Sequence, residues 1–165
     1  MAIRNFLVLS TFILMAMVVS LSFASEKVPL RAQDRVEIKQ LMWDYIQALD
    51  SGNAEAYAAA FAPNGQFGRG ESAVKGRGAL KKMVLDARKQ METENTGDKE
   101  RPRMYHVVTN PHIEFIDKDH ARYYAYWMGV FKSGGEIVGA GREVNELVRI
   151  DGQWFISIRD VDPQD

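Results

Sequence analysis

YHVVTNPHIEFIDKDHARYYAYWMGVFKSGGEIVGAGREVNELVRIDGQWFISIRDV, residues 105–161, alternates strand-forming runs with turn signals. Tyr105–Thr109 is rich in β-branched and aromatic side chains, Pro111 marks a break or an edge, and His112–Ile116 resumes as a strand. Asp117-Lys118-Asp119 supplies a turn. Ala121–Phe131 then alternates over one long strand, with Tyr123, Tyr124, Tyr126 and Trp127 adding β-propensity. Ser133-Gly134-Gly135 reads as a hairpin. Ile137–Ile150 and Trp154–Val161 form two further strands across an Asp151-Gly152 turn.

The residues upstream are helical in period. Asp34 with Glu37 reads as a capping box, and Ile38, Leu41, Met42, Tyr45, Ile46 and Leu49 recur on one face. Ser51-Gly52-Asn53 ends that helix, and Asn53 caps a second one, Ala54–Phe61. Pro63-Asn64-Gly65 turns the chain, with room for a short strand near Gln66-Phe67. Gly76-Arg77-Gly78 leads into a third helix marked by Leu80, Met83, Val84, Ala87 and Met91. Glu92–Pro102 is polar and unpatterned, a loop expected to act as a mobile flap. Helices first and an antiparallel meander afterwards make an α+β protein. The expected architecture is a cone-shaped, curved antiparallel sheet packed against about three N-terminal helices and enclosing a ligand-sized pocket.

A chain of 165 residues supports one domain. Arg4 precedes an almost unbroken apolar run, Phe6–Phe23, and Ser22-Phe23-Ala24 places small residues where a signal peptidase reads them. Residues 1–24 therefore read as a signal peptide, 25–32 as a flexible N-terminal segment and 33–162 as the domain, delivered to the periplasm or secreted. The other reading of the apolar run is an uncleaved anchor, since it approaches the ~18–20 residues of a spanning helix. After cleavage no membrane association is expected. The chain has no cysteine, which excludes disulfides, thiolate metal sites and a cysteine nucleophile. A net charge of −1 lacks the basic footprint of a nucleic-acid binder.

Two polar residues sit against their surroundings. Asp50 lies at the edge of the buried stripe and at the helix C-terminus, where the macrodipole disfavours a carboxylate by ~0.3–1 kcal/mol. It reads either as a turn residue bonding the backbone of Gly52 or Asn53, or as a group with a partner and a task. His106 lies in an apolar strand run, on one face with Val108 and Asn110, and is either a satisfied core histidine or a base. His112 and His120 flank strand ends and read as solvent-facing. The three histidines show no metal-ligand spacing, so no metal and no cofactor are expected.

Taken in order, Tyr45–Asp50, Ser51-Gly52-Asn53, Ala60–Pro63, Gly76–Gly78, His106–Asn110, Gly141-Arg142 and Asp151–Trp154 resemble the SnoaL-like group of the nuclear-transport-factor-2-like superfamily. The likeness spans Gln33–Val161. Its enzyme-like pattern is that of the hexachlorocyclohexane dehydrochlorinases and, more distantly, the scytalone dehydratases. The resemblance implies that Asp50 orients His106, that His106 removes a substrate proton, and that Arg142 faces the leaving group. The second histidine and water-holding tyrosines of the dehydratases have no match here.

Physical chemistry suits those roles. An imidazole, with a reference pKa of about 6.5, is a serviceable base at neutral pH. A carboxylate on its other nitrogen fixes the tautomer. Arg142 has a second reading, as an ion pair with Glu143 or Glu146. The implied partner is a small apolar substrate, and the alternatives are a non-catalytic binding module or a homo-oligomer formed through the sheet. On the signal-peptide reading, N-terminal sequencing of the natively expressed protein is expected to start at Ser25. Recovery of Met1 in a membrane fraction would instead make the apolar run an anchor.

Overall fold

Alternation in residues 104–160 becomes four long strands: β3 (Met104–Phe115), β4 (His120–Phe131), β5 (Ile137–Ile150) and β6 (Gln153–Asp160). The computed structural model describes residues 27–94, 104–132 and 137–163. The expected signal peptide, most of the expected flap and the Ser133-Gly134-Gly135 hairpin lie outside the described residues. Ahead of the four strands come α1 (Lys27–Ser51), α2 (Ala54–Ala59), β1 (Phe61–Phe67), a short 3₁₀ turn, β2 (Val74–Lys75) and α3 (Arg77–Glu94). The chain divides into two units at Ile38–Lys39, so the first part of α1 belongs to one and everything below to the other.

Six strands form one curved, unclosed sheet in the order β2-β1-β6-β5-β4-β3. The meander β3–β6 is antiparallel throughout, as its turn signals imply. Asp151 and Gly152 both take positive φ, 50° and 84°, the two-residue turn whose twist matches a β-hairpin. The sheet as a whole is mixed, because β1 pairs parallel to β6.

Four local expectations are corrected. α1 already includes Lys27–Gln33, so Asp34 lies within the helix and does not cap it, and 27–32 are helical. The second helix stops at Ala59, because Phe61 starts β1. Pro63-Asn64-Gly65 is an irregular stretch of β1, not a turn. A Cβ on Gly65 would lie 2.7 Å from the Ile156 carbonyl oxygen, so only glycine lets β1 approach β6 there. Finally, Glu92–Glu94 complete the last turn of α3 instead of opening a loop.

The helical stripe from Met42 to Ala48 is buried with the inner face of the sheet. Tyr45, Tyr57 and Phe61 bring α1, α2 and β1 together, with ring centroids 5.1, 5.8 and 5.3 Å apart. Such pairs add about 0.5–1.5 kcal/mol each beyond the area they bury. Beneath them is a polar cluster. Glu143 and Arg159, 0% and 3% exposed, form an ion pair. Arg159 Nη1 donates to Asn145 Oδ1 at 2.9 Å, Asn145 Nδ2 donates to Glu143 Oε1 at 3.3 Å, and the guanidinium lies 4.9 Å from the Tyr45 ring centroid. Burial, and then the Glu143 carboxylate, push the Tyr123 phenol up to about 12.

Removing one member of such a pair strands the other charge in a low-dielectric interior. Arg159→Met is expected to cost about 3–5 kcal/mol in urea unfolding, and Glu143→Leu added to it to recover part of that loss. A single-variant loss below about 1 kcal/mol would show that Glu143 reaches water.

Candidate active site

α1 ends in a hydrogen-bonded stop. Gly52 takes φ +69°, its N–H donates to the Leu49 carbonyl at 3.1 Å, and the Asn53 N–H donates to the Ala48 carbonyl at 2.9 Å. This closure fixes Asp50 in the last turn, 10% exposed, with its carboxylate directed to β3. β3 is an edge strand, so some of its N–H groups lack a strand partner. Asp50 takes one of them: the His106 N–H donates to both carboxylate oxygens at 3.3 and 3.2 Å. The same carboxylate meets His106 Nδ1 at 2.6 Å. Asp50 therefore has a specific partner instead of the neighbouring backbone.

An ionised carboxylate only accepts, so Nδ1 is the donor in this contact, and whenever the ring is neutral the lone pair sits on Nε2. His106 is 19% exposed and lines a cavity of about 640 Å³. Leu49, Asp50 and Gly52 form one wall, and Met104, His106, Phe131 and Val138 form the floor. The third side is α3, through Met83, Val84, Ala87, Arg88, Met91 and Glu92. Opposite His106 in the ladder is Gly129, and the space a Cβ would take there is filled by Met104 and Val138.

Which side chains face this cavity depends on one irregularity. Asn110, at φ +53°, sits in the break in β3–β4 pairing between Thr109 and His112. The extra residue switches the inward parity of β3, from Met104, His106 and Val108 before it to Ile113 and Phe115 after it. Asn110 is thus exposed and does not share the face of His106 and Val108.

Arg142 is not part of the site. His106 pairs with Gly129, Trp127 with Gly141 and Ala125 with Glu143, which puts these residues on the inner face. Arg142 lies between Gly141 and Glu143 and pairs with Tyr126, so period-two alternation turns it outward. It lines a separate groove with Arg69, Tyr126 and Glu146. Of the two ion-pair candidates for Arg142, Glu143 faces inward and pairs with Arg159, while Glu146 lines the same groove as Arg142 and pairs with Arg69. His120 bonds Asp117 on an exposed turn, and His112 is exposed beside Tyr124. Among the described residues no three His, Asp or Glu side chains cluster as a metal site requires. No described helix is long and apolar enough to cross a membrane.

Sequence reasoning missed Arg88 as a lining residue. Leu80, Val84 and Arg88 recur at four-residue spacing, which carries the face of α3 toward the cavity, and that signal was available.

Residues 30–160 match the SnoaL-like domain. The chain belongs to the SnoaL-like domain family. No curated protein sequence matches it significantly. Among solved structures, this SnoaL-like domain is similar to an NTF2-like protein with a cystatin-like fold from Novosphingobium aromaticivorans, 18% identical with a TM-score of 0.69, covering 86% of this chain and 90% of that one. It is also similar to a candidate scytalone dehydratase from the same organism, at 22% identity, TM-score 0.61 and coverage of 81% and 85%. A Catenulispora acidiphila protein solved in complex with S-DNPA is 24% identical, with a TM-score of 0.60 and coverage of 79% and 93%. At these identities the likeness carries the fold.

Histidine-selective ¹⁵N NMR of the SnoaL-like domain is expected to find His106 as the Nδ1–H tautomer. Asp50→Ala should release it toward a mixture. An Nε2–H ring in the wild type would overturn the assignment.

Proposed function

We propose that this SnoaL-like domain is a cofactor-independent lyase or isomerase in which His106 removes a proton from a small, largely apolar substrate. The observation that carries the reading is the 2.6 Å contact between Asp50 and His106 Nδ1 at the wall of an apolar cavity. It aims a bare Nε2 at bound substrate and keeps an anion ready to stabilise the imidazolium that forms. The C–H proton passes to Nε2. The electron pair left on carbon either expels a neighbouring group, giving an alkene, or delocalises until the proton returns at another carbon.

The similar fold of a candidate scytalone dehydratase supports a lyase, and the ligand-bound Catenulispora acidiphila protein supports small-molecule occupancy. The leader-like N-terminus supports action in the periplasm or outside the cell. A binding module that holds a ligand without chemistry is the second reading. It is favoured by the outward position of Arg142, which leaves the expected anion stabiliser out of the cavity.

Deuterium uptake from D₂O into a panel of small carbonyl and halogenated ring compounds, read by mass spectrometry, separates the two. His106→Ala is expected to lower uptake by about 10²–10⁴-fold, and Asp50→Asn by a comparable factor, with melting temperature retained. If His106→Ala exchanges like the wild type while ligand still binds, the binding reading replaces the catalytic one.

A further inference from the structure

We infer that Arg88 makes this cavity selective for small apolar acids: molecules with a hydrocarbon or aromatic body and one carboxylate-like oxygen group. This rests on the reading above that the cavity takes a small molecule. Among the described residues lining it, Arg88 is the only lysine or arginine. It stands one turn beyond Val84 on α3 and lies over the end of α1. Its Cδ and Nη1 are 3.5 and 3.7 Å from the point a Cβ on Gly52 would occupy. The glycine that closes the helix beside Asp50 also leaves the guanidinium its place at the wall.

Arg88 is held lightly. Its Nε donates to Glu92 Oε1 at 3.0 Å, one turn further along α3, with the two side chains 59% and 64% exposed. An exposed pair of this kind contributes only about 0–1 kcal/mol. The bond uses Nε, and among the described residues neither Nη group is engaged, so the flat two-pronged end is open to an incoming carboxylate. Glu92 balances the charge of the empty cavity. Asp50 is committed to His106 and does not compete for Arg88.

The remaining surface fits the other half of such a molecule. Met83, Met91 and Met104 offer unbranched, polarisable thioethers, and Phe131 and Val138 add flat and branched apolar walls. A bed of this kind adapts to rings of varied outline and favours sulfur–aromatic contact. The polar end is specified and the apolar end is tolerant.

The test is calorimetric binding of a matched pair of probes, naphthalene-2-carboxylate and the uncharged 2-naphthylmethanol, at neutral pH and low salt. The wild type is expected to prefer the carboxylate by about tenfold or more, the size of one charge-assisted hydrogen bond. Arg88→Gln should abolish the preference and leave the alcohol's affinity unchanged. Glu92→Gln should strengthen carboxylate binding. His106→Ala should keep the preference, which removes an imidazolium as its source. Equal affinities in the wild type, or a preference that survives Arg88→Gln, would overturn the inference while leaving the small-molecule reading intact. If neither probe binds, the small-molecule reading fails and the inference with it.

Discussion

A carboxylate and a guanidinium shut away from water at the centre of the sheet constrain much of what surrounds them. Taking each charge out of water costs several kcal/mol, and only close pairing with further hydrogen bonds offsets it. Glu143 and Arg159 meet most of that demand with help from Asn145, under the Tyr45 ring of α1, while Arg159 Nε is buried without a hydrogen bond among the described residues. Asn145 pairs directly with Arg159 across β5–β6. A slip of one residue would turn a charge outward on one strand and inward on the other, so the pair acts as a register lock. From Glu143 the ladder runs to Ala125 on β4, and along that face through Trp127 to Gly129, the partner of His106. The placement of the cavity floor follows from the lock.

Asp50 satisfies two needs with one carboxylate. It accepts the N–H of an edge strand that has no further strand to bond, and it bonds the imidazole on that same residue. The unfavourable end of a helix dipole is thereby tolerated, because the carboxylate receives donors from a neighbouring element. A backbone bond and a side-chain bond share one carboxylate here, which is why the Asp50 substitutions need a stability measurement beside any functional one.

Much of the fold was legible because its signals are local. Asp151-Gly152 must turn, the stripe from Leu41 to Leu49 must be buried on one side, and residues 121–131 alternate for long enough to exclude a helix. Asp50 and His106 were visible as polar groups in apolar settings, and family resemblance joined them. What stayed hidden depends on distant pairing. Nothing near Phe61–Phe67 announces a parallel bond to the final strand, and Pro63-Asn64-Gly65 reads as a turn unless the crowding of Gly65 by Ile156 is known. Arg142 was misplaced because inward and outward positions of β5 are decided by ladder register, which composition does not reveal. Arg88 was overlooked for a different reason: a charged residue on a helix is ordinarily read as its wet side.

The break at Asn110 divides β3 into two half-strands with separate obligations. Downstream, Phe115 packs near Trp154, 6.2 Å between ring centroids, and serves the interior of the fold. Upstream, Met104 and His106 serve the cavity. Because the surplus residue uncouples the alternation of the two halves, neither has to follow the other's pattern of large and small side chains. The strand is in effect modular. A change of side-chain size at Met104 or His106 is felt at the cavity floor, one at Ile113 or Phe115 in the packing of the interior, and neither demand constrains the other.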